Sequence, residues 1–149
     1  MIRPLFQADI HQLLRIENAV HVAPWTEETF RACFKAGYIG WVIEIDKNII
    51  GFIIISLAMD ECHVLNICVA RLFQHQGWGK KLLACALNHA SQQGKRTAYL
   101  EVRRSNTRAI SLYQKMNFHL IGERKGYYKT VSGEEDALIY ATDLSSHAI

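Results

Sequence analysis

The sequence predicts an α+β (mixed α/β) domain, a mixed sheet with helices on its faces. Three observations carry that expectation. Two Ile/Val-rich runs, 39–45 and 49–58, are separated only by Asp46-Lys47-Asn48, which reads as a hairpin. A third apolar run, 62–70, leads into the glycine-containing stretch QHQGWGKKLL at 74–83, after which apolar residues recur at helical spacing. Thr97–Arg103 then alternates, with Ala98, Leu100 and Val102 on one face and Thr97, Tyr99, Glu101 and Arg103 on the other. Three successive strands before the first strand–helix alternation exclude a simple doubly wound parallel sheet.

The elements follow in chain order. Ile10, Leu13 and Leu14 share a stripe within residues 8–19, so a helix is expected there. Thr26 can cap a second helix, because Glu27 and Glu28 fall in its first turn, where the helix dipole favours negative charge. The helix after the glycine loop carries Leu82, Leu83, Ala86, Leu87 and Ala90 on one stripe, and Gly94 ends it. A helix over 106–116 shows Ala109, Ile110, Leu112, Tyr113 and Met116, with Asn117 as a stop. Strands near 118–123 and 136–142 complete a single domain spanning 1–149, with 144–149 as a loose tail.

With half of its 149 residues apolar, the chain can form one sizeable core. Seventeen Lys and Arg against fourteen Asp and Glu leave a net charge of +3, too mild to argue for direct nucleic-acid binding. The four cysteines, Cys33, Cys62, Cys68 and Cys85, form no CxxC pair, so reduced buried thiols are expected and no metal site. Cys62 and Cys68 lie in one strand, roughly 20 Å apart, too far to bridge. The opening MIRPLFQADI lacks a cationic segment followed by an apolar run, so no secretory leader is expected. Ile49–Met59 is too short for a bilayer, which needs about 20 apolar residues. A cytoplasmic protein without membrane contact is expected, as a monomer or weak dimer.

The glycine loop suggests a phosphate grip, and its spacing selects among the known kinds. GxxxxGK[ST] fails twice, with Gln74 at the first glycine and Lys81 at the Ser/Thr. GxGxxG fails at Leu82. The pattern [QR]xxGx[GA] fits Gln74-His75-Gln76-Gly77-Trp78-Gly79 at every fixed position. Glycines let backbone N–H groups approach phosphate oxygens, and a helix start adds partial positive charge. A glycine-rich turn that merely begins a helix has the same pattern.

The rest of the chain bears on that choice. The hexad, the preceding Leu65-Asn66-Ile67-Cys68-Val69, and the later order Leu100-Glu101-Val102-Arg103, Ser105-Asn106, Tyr113 and Asn117-Phe118 resemble the GCN5-related N-acetyltransferase (GNAT) superfamily. Pro24-Trp25-Thr26, Tyr127-Tyr128 and Gly133-Glu134-Glu135-Asp136-Ala137 narrow the resemblance to the bacterial ribosomal-protein-alanine N-acetyltransferases, over roughly residues 3–142. Gly126 where that family has Asn, and Lys129 where it has Pro, depart from the pattern in the expected substrate loop and bear on acceptor preference. Trp78 is bulkier than the usual aliphatic residue, but its backbone is unaffected.

The resemblance implies a mostly antiparallel sheet with splayed middle strands. It implies acetyl-CoA as co-substrate, held by Ile67, Cys68 and Val69 on the splayed strand, by Gln74, His75, Gln76, Gly77, Trp78, Gly79 and Lys80 around the pyrophosphate, and by Asn106 and Tyr113. It implies transfer of an acetyl group to a protein N-terminus, the alanine of small-subunit ribosomal protein number eighteen. Broader N-terminal, lysine or small-amine acceptors, and a non-catalytic CoA-binding module, are the alternatives. Glu101 is the candidate general base, directly or through water, against a structural carboxylate paired with Arg103 or Lys95. Tyr113 is the candidate acid for the departing thiolate, against a core tyrosine. Trp25, Tyr127, Tyr128 and Asp136 are the acceptor-side candidates, although an acidic run such as 134–136 is more often a solvated turn. A backbone N–H near Val69 suits the oxyanion.

Overall fold

In the computed structural model, which describes residues 1–147, alternation decides the layering. The strands are β1 (Ile2–Pro4), β2 (Ile39–Ile45), β3 (Asn48–Ala58), β4 (Glu61–Val69), β5 (Thr97–Arg103), β6 (His119–Thr130) and β7 (Gly133–Asp143). The helices are α1 (Ile10–Val20), α2 (Glu27–Lys35), α3 (Trp78–Gln92) and α4 (Thr107–Lys115). All seven strands form one sheet in the order β1-β2-β3-β4-β5-β7-β6. Every neighbouring pair is antiparallel except β4–β5, which is parallel.

Strand β3 is buried on both faces, which explains its unbroken apolar run. Phe52 and Ile54 point to one core, with Ile10, Leu13 and Ile16 of α1 and Phe30 and Cys33 of α2. Ile53 and Ile55 point to the other, with Leu82, Leu83, Ala86, Leu87 and Ala90 of α3 and Tyr113 of α4. Phe30 and Phe52 meet edge to face, with ring centroids 5.7 Å apart. Truncating such a buried ring to Ala costs about 3–5 kcal/mol. Helices therefore cover both faces, as the sequence order implies.

Local chemistry sets the joints. Asp46 and Lys47 both take positive φ, 50° and 68°, the backbone a two-residue hairpin needs between right-twisted strands. The Thr26 hydroxyl accepts from the Thr29 N–H at 3.2 Å, capping α2. Asn117, at φ 68°, turns the chain out of α4.

Two differences from the expectations concern the ends. Strand β1 pairs with β2 through Ile2–Pro4, a segment too short for any periodicity, and Arg3 anchors it. The Arg3 guanidinium grips Asp9 through two 3.0 Å bonds and Glu44 through bonds of 3.0 and 3.3 Å. At the other end, the tail expected to be loose from 144 begins with a 3-10 turn, Leu144–His147. Leu144 is fully buried in the α3-side core, because an apolar side chain beside that core gains by leaving water. Residues 148–149 of the expected tail lie outside the described residues. Among the described residues no helix is long and apolar enough to cross a membrane.

Candidate active site

The parallel pair β4–β5 comes apart midway. Pairing runs from Glu61–Thr97 to Val64–Leu100 and stops. Beyond that point β4 remains on β3 to Val69, and β5 remains on β7 to Arg103. The edges of Leu65–Val69 and Glu101–Arg103 thus face an opening rather than each other. The divergence begins where β4 carries an extra residue: Ile54 pairs with Asn66 and Ile55 with Val64, so Leu65 opposes nothing. A bulge of this kind bends its strand and ends pairing.

The glycine loop lies at the end of β4. Gly77 is left-handed, with φ 87°, and a Cβ there would meet nothing within 4 Å. His75 is also left-handed, with φ 64°. Together they turn the chain into α3. The first helical bond runs from Lys81 N–H to the Gly77 carbonyl at 3.1 Å. The N–H groups of Trp78, Gly79 and Lys80 therefore have no helical acceptor and suit an anion. Gly79 packs close to α4, since a Cβ would stand 3.4 Å from Leu112 Cδ2. The Lys81 ammonium lies 4.6 Å over the Trp78 ring, which accounts for one of the two lysines. The Gln74 side chain is internal to the loop. Its amide donates to the Val69 carbonyl at 2.9 Å and accepts from Arg108 at 2.7 Å, tying strand, loop and α4 together.

Tyr113 rises from α4 into the α3-side core, 5% exposed, against Phe118. Its hydroxyl makes no hydrogen bond among the described residues. Burial, with Tyr128 adding to it, pushes its ionisation well above the usual tyrosine range, so the phenol keeps its proton at neutral pH. Asn106 caps α4, accepting from Ala109 N–H at 3.2 Å. Its carbonyl oxygen is thereby committed to the helix.

Glu101 is the first β5 residue past the last paired position. Its side chain is 31% exposed and pairs with Arg124 at 3.2 Å, not with Arg103 or Lys95. Lys95 instead donates to the Met59 carbonyl. Arg103 stacks 4.2 Å over the Tyr128 ring and pairs with Glu135 at 3.3 Å. Tyr127 and Tyr128 meet edge to face at 5.2 Å, and Arg124 lies 5.3 Å over Tyr127. Burial, then the Glu101 charge, pushes the Tyr128 hydroxyl up. The two tyrosines sit on β6, which runs further than expected, to Thr130, and bulges between Arg124 and Tyr128.

Asp136 is engaged by that bulge. Its carboxylate accepts from the Gly126 N–H at 2.9 Å, with Arg104 at 3.4 Å and Lys125 at 3.7 Å. The Gly126 bond, then the two cations, hold it below the usual carboxylate range. Gly126 has φ 61°, so the departure from Asn supplies a residue at ease in a left-handed turn.

Cys68 points away from the opening, into the α1/α2 core. Burial and the nearby Glu17 charge push its thiol well above the usual range, so it is a poor nucleophile. Glu17, His21 and Cys68 bring ligand-capable atoms within 4.8 Å of one another. The Glu17 oxygens already accept from the Trp25 N–H and the Asn66 amide, both at 2.9 Å, and the thiol is held protonated, a poor donor set for a metal. Sequence reasoning passed over this cluster, because Glu17 and Asn66 are 49 residues apart.

Comparison with known proteins agrees with this geometry. The model of the acetyltransferase (GNAT) family matches residues 10–118. A [ribosomal protein bS18]-alanine N-acetyltransferase of Haemophilus ducreyi is 38% identical over 142 residues, 95% of this chain and 98% of that protein. The enzyme of the same name from Escherichia coli K12 is 34% identical, covering 97% of each chain. The crystal structure of the Escherichia coli ribosomal-protein-S18-alanine N-acetyltransferase superposes with a TM-score of 0.92 at 33% identity, over 97% of this chain and 93% of that one. Arabidopsis thaliana NAA60, solved with acetyl-CoA, shares the fold at 19% identity and a TM-score of 0.85, over 97% of this chain and 98% of its own. The chain belongs to the acetyltransferase (GNAT) family.

Proposed function

We propose that this protein transfers an acetyl group from acetyl-CoA to the α-amine of a protein N-terminus, the alanine of ribosomal protein bS18. The observation that carries the reading is the opening between β4 and β5, bounded at one end by the unpaired N–H groups of α3, with Glu101 as the first β5 residue past the pairing. Backbone N–H groups and a helix start suit a pyrophosphate, and a free strand edge suits the amides of a pantetheine arm. Bound there, acetyl-CoA supplies an activated thioester. Ile67 to Val69 offer the strand edge, Gln74 to Lys80 the loop, and the Asn106 side-chain nitrogen, Nδ2, is free of any hydrogen bond among the described residues.

The reaction needs three proton movements. An α-ammonium has a pKa of about 8, so Glu101 takes its proton, directly or through water, before attack. The amine then attacks the thioester carbonyl, forming the C–N bond and an oxyanion. As this collapses the C–S bond breaks, and the Tyr113 phenol protonates the leaving thiolate. The nitrogen sheds its second proton, which restores the phenol directly or through water. A backbone N–H near Val69 steadies the oxyanion. Trp25, Tyr127 and Tyr128 line the acceptor entrance, while Asp136 shapes the loop beside them. A cytoplasmic setting, a single functional domain and a monomer or weak dimer belong to the same reading.

The test is thiol release on mixing the protein with acetyl-CoA and an Ala-initiated peptide of the bS18 sequence. Mass spectrometry should find a single acetyl group on the α-amine. Tight acetyl-CoA binding without turnover overturns the reading in favour of a non-catalytic module.

A further inference from the structure

The buried carboxylate of Glu17 has no part in the proton transfers, yet it joins the two halves of the site. Glu17 is 1% exposed. One of its oxygens accepts from the Trp25 backbone N–H at 2.9 Å. The other accepts from the Asn66 side-chain amide at 2.9 Å and lies 3.6 Å from His21 Nε2. His21 Nε2 is also 3.1 Å from Asn66 Oδ1. Because the Asn66 nitrogen faces Glu17, its oxygen faces His21, so His21 Nε2 carries the hydrogen and donates it.

The three anchored segments are telling. Trp25 belongs to the connection between α1 and α2, and its ring packs edge-on against Phe30 at 5.3 Å. Asn66 follows the bulged Leu65 and precedes Ile67–Val69, at the start of the diverging part of β4. Helix α1 holds the carboxylate between them. A lone structural role would need only one of these partners. Burying a charge to hold both is costly unless every bond is made, and here each oxygen has its donor.

We propose that Glu17 is a positioning residue for the acceptor. Its carboxylate fixes the loop carrying Trp25 against the donor strand, setting where the incoming amine lies relative to the thioester. The role rests on the acetyltransferase reading above. A misplacement of about 1 Å between reactants lowers rates by up to about a hundredfold, so a loosened loop should act on the acceptor and spare the donor.

The experiment is a cycle of Glu17→Gln, Asn66→Asp and the double variant, assayed by thiol release with acetyl-CoA and an Ala-initiated peptide. Glu17→Gln sets two amide donors against each other, and Asn66→Asp sets two carboxylates together. The double variant restores one donor facing one acceptor, and the amide oxygen now at position 17 still accepts from the Trp25 N–H. Each single change should raise the peptide KM about tenfold, with acetyl-CoA affinity by calorimetry within about twofold of wild type, and the double should recover most of the loss. Equal damage to donor and acceptor binding, no recovery in the double, or unchanged peptide kinetics each overturns the positioning role. If the single variants do not fold, His21→Ala removes the donor to Asn66 Oδ1 and loosens the cluster while both Glu17 bonds stay, and an unchanged peptide KM in that variant overturns it. A wild-type protein that releases no thiol sinks the acetyltransferase reading itself, a result distinct from all of these.

Discussion

Glu17 and Glu101 both stand beside the opening between β4 and β5, and the fold treats them in opposite ways. Glu17 is sealed in, with both oxygens bonded to neutral groups. Glu101 is part exposed, with one guanidinium as its ion partner, itself 54% exposed. The first carboxylate is held still and can only organise its surroundings. The second can exchange its partner for an incoming ammonium ion. One site thus contains a fixed side, built from α1 and the bulged strand, and a responsive side, built from β5 and β6.

Changes on the two sides should fail differently. The largest effect is expected for Tyr113→Phe, which removes the proposed proton donor and keeps the ring packing. Turnover should fall about 10²- to 10⁴-fold, with acetyl-CoA affinity nearly unchanged, as read by single-turnover thiol release and calorimetry. Wild-type turnover would remove Tyr113 from the chemistry. Next comes Glu101→Gln, with a loss of roughly 10- to 100-fold that is greatest at low pH. Above about pH 8 the amine sheds its own proton, and the deficit should shrink. A deficit that stays constant with pH would make Glu101 a structural partner, like Glu17.

The fixed side should answer in stability. Burial works against the Asp9 charge, but the Arg3 bonds and the Phe6 N–H outweigh it and hold the carboxyl below its ordinary value. A carboxylate whose folded pKa is depressed stabilises above its unfolded value, about 4, and loses that contribution as pH falls through the folded value. Asp9→Asn should cost about 1–3 kcal/mol at neutral pH by denaturant titration and flatten the acid limb below about pH 4. An unchanged acid limb would show that the Arg3–Asp9 pair is idle. Smaller again is Gly77→Ala, at about 1–2 kcal/mol, because a Cβ resists the left-handed backbone. Acetyl-CoA affinity should weaken with it. The smallest effect belongs to Arg124→Ala, below about 1 kcal/mol as for exposed pairs, with the fold intact. A large loss there would mean that the responsive side is as rigid as the fixed one.

Legibility in the sequence follows the same division. Strands β2 and β5 are readable to the residue, because one or both of their faces are buried and the apolar pattern shows it. Strand β6 is not. Its residues are mostly exposed on both sides, so no period-two apolar signal exists beyond its first few residues. The glycine loop announces itself locally. Glu101 and Tyr113 stand out as candidates through their order along the chain, but the partner of Glu101 does not, since Arg124 comes into reach only when β6 folds back on β7. The Glu17 cluster is invisible for a stronger reason. A glutamate and a histidine one helical turn apart, and an asparagine 49 residues beyond the glutamate, look like solvated residues until packing brings them together.

Strand β6 is the last in the sheet, and its outer edge carries Glu123, Arg124, Lys125 and Lys129 around a glycine bulge. Charges and bulges make an edge a poor template for further pairing. A polypeptide approaching this flank finds no long ladder to extend, so its middle gains little by lying down there. Its first residue meets two tyrosines and a carboxylate. On the proposed reading, the edge therefore filters by topology, admitting a chain by its end and turning away the same residues presented within a strand.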